Sequence, residues 1–293
     1  FFTQKTAYEI GVRLVGSEMC IRDRPYGDLT KQAVQRFETF EDLDAHECTI
    51  EEREEYEPHI RNDIIVYAGV DYGAILEEAE KEADVIIWDG GNNDTPFYKP
   101  DLWITVIDPH RVGHEFDYFP GIANSERADV ILINKVDSAD EANIQACIDN
   151  TRKTNPSATI VRGASPLDVP NPEEIDGKRV LAVEDGPTTT HGGMPFGAGV
   201  LAGKRNGAAE FVDPRPWAVG EIADTFEHYP DTGSLLPAMG YGEVQVRDLE
   251  ATINAVDCDL VIVATPIDLT RILKINKPFH RKGSVSYTHL TLP

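Results

Sequence analysis

From Asp63 onward the chain alternates short apolar runs with stretches of helical spacing, and several of the runs end in Asp, Asn or Gly. Short continuous apolar runs separated by helix-length segments are the pattern of βαβ units, whose strands are parallel and covered on both faces. The spacing predicts strands at 64–68, 85–89, 102–108, 130–134, 159–162 and 180–184. A second series follows: a helix at 197–206, a strand at 209–212, helices at 221–228 and 246–255, a strand at 259–264 and a helix starting near Leu269. The fold class expected is α/β, a mainly parallel sheet with flanking helices plus a second α/β part. Pro170-Asn171-Pro172 marks the boundary, giving a first domain at 25–170 and a second at 171–282.

Segment 25–60 differs. It is rich in Glu and Asp on helical spacing, and Thr49 with Glu52 forms a capping-box signature, so it reads as an acidic helical insertion with a solvated face. Residues 1–24 and 283–293 look like translated adapter sequence and are set aside as non-native; the alternative is a genuine helix and strand. The chain carries 51 acidic against 27 basic residues, a net charge of −24. Such a surface argues against nucleic-acid and anionic-membrane partners. No apolar run approaches the ~20 residues that cross a bilayer. The cysteines Cys48, Cys147 and Cys258 are scattered singly, which suits a reducing cytoplasm and no structural metal site.

Two apolar runs lead into polar residues where open parallel sheets bind ligands. Asp84-Val-Ile-Ile-Trp-Asp89-Gly-Gly puts Asp89 at a strand's carboxyl end, where a carboxylate can hold Mg2+ facing phosphates; the alternative is an Asp that caps the turn. Asn92, Asn93 and Asp94 add polar groups to the same loop. Val130-Ile-Leu-Ile-Asn134-Lys135-Val136-Asp137 contains the Asn-Lys-x-Asp pattern of guanine-nucleotide-binding proteins, in which the carboxylate accepts hydrogen bonds from the base. Ser165, after the next strand, lies where such proteins place a backbone contact to the base. No G-x-x-x-x-G-K-[ST] phosphate loop occurs in the chain.

These motifs join further runs spread over residues 25–278, among them Pro25-Tyr-Gly-Asp-Leu, Arg36-Phe-Glu-Thr, Asp108-Pro-His-Arg111, Thr190-His-Gly-Gly-Met194, Asp213-Pro-Arg-Pro and Pro237-Ala-Met-Gly-Tyr-Gly. The combination resembles the cyclic 2,3-diphosphoglycerate synthetase family, archaeal P-loop-type enzymes whose relatives are often labelled GTPases. The resemblance implies a truncated P-loop NTPase-like domain, whose phosphate loop would precede Pro25. It implies magnesium-dependent use of ATP (or GTP) to close 2,3-diphosphoglycerate into its cyclic pyrophosphate, with the piece inactive alone. The alternative on the same scaffold is a regulatory or metallochaperone-type GTPase. The expected partners are a phosphorylated small molecule and the nucleotide, with a homodimer left open and a cytoplasmic location.

A multiply charged anionic substrate calls for cations, which are scarce here. The candidates for its phosphates are His110 and Arg111 after a strand end, His191 with Gly192 and Gly193 beside the Thr188–Thr190 hydroxyls, Arg215 between two prolines, and Lys274 with Lys277. For each, the plainer alternative is a surface ion pair, a glycine turn or an exposed helix end. Asn134, Lys135, Asp137 and Ser165 are assigned to the nucleotide and Asp89 to the metal. No general base can be named.

Overall fold

The computed structural model describes residues 12–16, 32–90, 96, 98–167, 169–190, 195–240, 242–281 and 289–291. The chain divides into two compact units, one of Phe1–Arg36, Ile65–Pro166 and Ser286–Pro293, the other of Phe37–Ile64 and Leu167–Val285. The strands in chain order are β1 (Val12–Gly16), β2 (Gln35–Phe37), β3 (Ile65–Ala68), β4 (Val85–Asp89), β5 (Ile104–Ile107), β6 (Val130–Ile133), β7 (Thr159–Ala164), β8 (Arg179–Asp185), β9 (Glu210–Phe211), β10 (Leu236–Ala238), β11 (Leu260–Val263), β12 (Phe279–Arg281) and β13 (His289–Thr291). The α/β class expected from the alternating pattern is the class observed, with parallel pairing dominating.

The first unit carries two four-stranded sheets, ordered β2-β3-β1-β4 and β13-β7-β6-β5. Val12–Gly16, inside the flank that the sequence reading sets aside, pairs in parallel with both β3 and β4 and fills the place between them. β13, in the other flank, runs antiparallel along β7. All four residues of β3 are buried. Helix Tyr72–Ala79 starts where Asp71 Oδ1 accepts the Ala74 amide at 3.0 Å, and it lays Ile75 and Ala79 on Ile65 and Tyr67. Helix Glu141–Thr154 turns Ile144, Cys147 and Thr151 inward at spacings of three and four, and the first two join Ile131 and Ile133 of β6 in one core. Each fully buried Ile contributes roughly 1.5–3 kcal/mol relative to exposure.

The second unit is built on β8. β11 pairs along one edge of it, while β9 pairs with its first two residues and β10 with its last three. Val180 and Val183 each pair with β11 as well, so β9 and β10 share the opposite edge of β8. The chain thus builds outward from β8 on one side, then crosses to build β11 and β12 on the other. Both faces are covered. Leu181, Val183, Val261 and Val263 meet helices Gly220–His228 and Glu243–Ala255, through Ile222, Phe226, Leu249 and Ile253. The alternate residues Val180, Leu260 and Ile262 pack with Ile175 and Phe211, and Ala182 packs with Val200 of helix Ala198–Arg205.

Several elements depart from expectation for local reasons. The helix expected from Leu269 is only a 3-10 turn, Leu269–Arg271, because Asp268 takes both the amide and the hydroxyl of Thr270 and closes the turn tightly. β10 and β12 are three residues each, too short to show a period, and Pro237 inside β10 fits a strand at the sheet's edge. The acidic segment forms helices Phe40–Ala45 and Ile50–Ile60, both opened by capping boxes, Thr39 with Asp42 and Thr49 with Glu52. Its second helix is not simply solvated: Arg53, Tyr56, Glu57 and Ile60 form a buried face at helical spacing. Among the described residues Cys48, Cys147 and Cys258 are not joined in disulfides.

Candidate functional site

The carboxyl ends of β5, β6 and β7 bring together the residues that the sequence pattern assigns to a nucleotide. β5 leads into Asp108, β6 into Asn134 and Lys135, and β7 into Ser165. The Ser165 amide donates to Asp137 Oδ1 at 2.8 Å, and its hydroxyl donates to Asn134 Oδ1 at 3.1 Å. Lys135 has φ +57, a left-handed conformation uncommon for a lysine, and its ammonium reaches back to Asp108 Oδ2 at 2.7 Å. Asn134, Lys135, Asp137 and Ser165 therefore form one constellation, with Asp137 exposed at its mouth.

Asp108 belongs to this constellation, although the motif reading gave it no role. Burial pushes its carboxyl up, but the Lys135 ammonium and the His110 amide, which donates to Oδ1 at 2.9 Å, together hold it below the usual carboxylate range. The signal was present in the sequence, since Asp108 ends its apolar run just as Asp89 ends another. Ser138 is the other addition. Its hydroxyl lies 3.0 Å from His110 Nε2 and within reach of the Lys135 carbonyl, so His110 braces the Asn-Lys-x-Asp loop. Arg111 ends the same 3-10 turn as His110.

Asp89 closes β4 and is exposed, level with Gly16 of β1. Among the described residues no three His, Cys, Asp or Glu side chains converge as a metal cage. Asn92, Asn93 and Asp94 lie outside the described residues, as do His191, Gly192 and Gly193.

In the second unit the described candidates for an anionic substrate lie on separate elements. The Thr189 and Thr190 hydroxyls, expected to help cradle a phosphate, donate back to the carbonyls of Asp185 and Gly186 and are buried. Arg215 Nη1 holds both Asp213 oxygens at 3.0 Å, Nη2 donates to the carbonyls of Pro230 and Thr232, and the guanidinium lies 5.0 Å from the Phe226 ring. It fixes a loop. Lys274 and Lys277 precede β12 and so lie toward the amino edge of this parallel sheet, away from the carboxyl edge. The carboxyl end of β8 instead carries Glu184, 1% exposed, which accepts the amides of Gly199 at 3.1 Å and Val200 at 2.8 Å and so caps helix Ala198–Arg205 from within.

No protein-family model matches the chain. Among curated proteins it is similar to the arginine synthetase ArcE of Thermococcus kodakarensis, with 62% identity over 254 residues, which are 87% of this chain and 57% of that protein. The chain thus spans a little over half the length of the curated relative it matches. This finding overturns the activity implied by the sequence resemblance: the relative is named for making arginine, not a cyclic diphosphoglycerate. The alternative of a regulatory or metallochaperone-type GTPase finds no support in it either. What the chain is similar to is an archaeal synthetase.

Proposed function

We propose that the chain supplies the nucleotide-binding part of a synthetase that forms arginine, driven by ATP or GTP with Mg2+. The observation that carries the reading is the convergence of Asp108, Asn134, Lys135, Asp137 and Ser165 at the carboxyl ends of three adjacent parallel strands. Ligands of open α/β sheets bind at that edge. The relative's name supplies the product.

The chemistry follows from the product. The central carbon of a guanidino group has the oxidation level of a urea, so arginine can form from its ureido counterpart by exchanging oxygen for nitrogen. Oxide is a poor leaving group in water. Transfer of the nucleotide's terminal phosphoryl group to the ureido oxygen breaks the P–O bond to the nucleoside diphosphate. Ammonia then attacks the carbon, and the oxygen departs as phosphate, with the proton lost from nitrogen passing to solvent or a base. The roles of the chain's residues are to bind and orient. Asp137, set by the Ser165 amide, would face the base edge, and the Lys135 stem, anchored on Asp108, would line the ring. Asp89, exposed at a strand's carboxyl end, fits Mg2+, which takes one or two carboxylates and completes its shell with phosphate oxygens and water.

The test is an incubation of the whole synthetase that contains this chain with the ureido counterpart of arginine, ammonium, Mg2+ and ATP or GTP, following arginine and inorganic phosphate. Equal amounts of the two are expected, with Asp137→Ala raising the KM for nucleotide about tenfold or more through lost hydrogen bonds to a charged group. Absence of arginine with both nucleotides, in protein that binds them, would contradict the synthetase reading.

A further inference from the structure

Three arginines distant in sequence meet in the second unit, around the loop that leaves β11. Arg61 follows helix Ile50–Ile60, Arg271 ends the 3-10 turn and Arg281 ends β12. Arg61 Nη1 donates to the Pro266 carbonyl at 2.9 Å and Nη2 to Glu57 Oε2 at 2.5 Å. Arg281 Nη1 donates to Asp268 Oδ2 at 3.1 Å, and Nη2 points at the same Pro266 carbonyl. The Arg281 Nε is buried and has no acceptor among the described residues. Glu57 is 1% exposed and also takes the Asp268 amide at 3.2 Å, so the two carboxylates are already engaged by backbone and by Arg61 and Arg281.

Arg271 differs from the other two. Among the described residues its guanidinium meets no carboxylate; it lies 4.4 Å from the centroid of the Phe40 ring, which Arg61 approaches at 5.7 Å. Stacking on an aromatic face holds a guanidinium in place and leaves its in-plane donors available. The charges do not balance locally. Burial lowers the Arg61 pKa, and the neighbouring Arg281 and Arg271 lower it further against the opposing pull of Glu57 and Asp268. An excess of positive charge is unusual in a chain with a net charge of −24. Its place is the carboxyl edge of β11 and β12, next to the β8–β11 junction where the strand order of this sheet reverses. In open α/β sheets ligands bind at that edge and beside that junction.

We propose that Arg271, with Arg61 and Arg281 behind it, forms an oxyanion-binding site of the second unit that takes a carboxylate or a phosphate group of a small ligand. The Phe40 ring orients the outer guanidinium for a two-point contact, and the inner pair supplies the field. The site is independent of the nucleotide constellation and stands whether or not arginine is the product.

Thermal unfolding of the whole chain in inorganic phosphate, in succinate and in chloride at matched ionic strength tests this. Wild type is expected to show a saturable rise in midpoint with phosphate or succinate and none with chloride, the stronger of the two naming the group. Arg271→Gln, at an exposed position, should weaken that binding about tenfold, the cost of one charge-assisted contact. Phe40→Leu should weaken it while all three charges remain, and Arg247→Gln, at an exposed helical site, should leave it unchanged. Equal shifts in all three anions, or an undiminished shift in Arg271→Gln, would overturn the proposal.

Discussion

Lys135 combines a backbone cost with a side-chain task. At φ +57 a side chain with a Cβ costs on the order of 1 kcal/mol, and it persists because the ammonium is tied to Asp108 and the loop is pinned by Val136 and Ser138. Lys135→Ala and Lys135→Gly both lose the ammonium and differ in the strain. The Gly variant should therefore unfold about 1 kcal/mol later than the Ala variant, measured by denaturant titration, while both bind nucleotide more weakly than wild type. An Ala variant as stable as the Gly one would mean that the left-handed conformation stores no strain. Asp108 gives a matching prediction in pH. Its folded-state pKa lies below its unfolded value, so its contribution is fully present above the ordinary carboxylate pKa of about 3.9 and is lost as pH falls through the lower folded value. Between pH 5 and pH 3 the unfolding midpoint should fall more steeply in wild type than in Asp108→Asn. Equal slopes would show that the Lys135 pairing does not bias the carboxyl.

At the scale of elements, the contact between β8 and helix Ala198–Arg205 depends on missing side chains. A Cβ on Gly197 would lie 2.4 Å from Glu184 Oε2, and one on Gly199 3.0 Å from the Ala264 Cβ. Gly197→Ala must displace a buried carboxylate that caps the helix, so it should destabilise by roughly 1–3 kcal/mol in chemical unfolding. A loss under a few tenths would mean that Glu184 moves aside without consequence. The elements legible in the sequence were those with strong apolar runs, such as β4, β6, β8 and β11. Those that escaped were stabilised by tertiary pairing: β10 and β12 have three residues each, and the turn at Leu269 obeys the side chain of Asp268 more than any helical period. The grouping of Asn134, Lys135, Asp137 and Ser165 was legible because these residues lie in a contiguous motif and in the run just beyond β7. Asp108 was passed over because a carboxylate at a strand end has no fixed meaning until its partner is known. The Arg61, Arg271 and Arg281 group was beyond sequence reasoning, since Arg61 meets its Pro266 partner across 205 residues.

For the molecule as a whole, the two units repeat one physical plan. In each, parallel strands are built of short apolar runs, and their carboxyl ends gather the polar groups: Asp108, Asn134, Lys135 and Ser165 in the first, Glu184, Asp268 and Arg281 in the second. Among the described residues no helix is long and apolar enough to cross a membrane. With acidic residues nearly twice as numerous as basic ones, anionic ligands must be met at a few fixed points, and the site proposed at Arg271 would be one of them. The most direct measurement is calorimetric titration of the chain with Mg·ATP and Mg·GTP, beside Asp137→Ala and Asp108→Asn. The predicted result is saturable binding of at least one nucleotide, weakened about tenfold in Asp137→Ala and less in Asp108→Asn, whose partner acts at one remove. Binding that ignores both substitutions, or none in wild type, would contradict a nucleotide site at the ends of β5, β6 and β7.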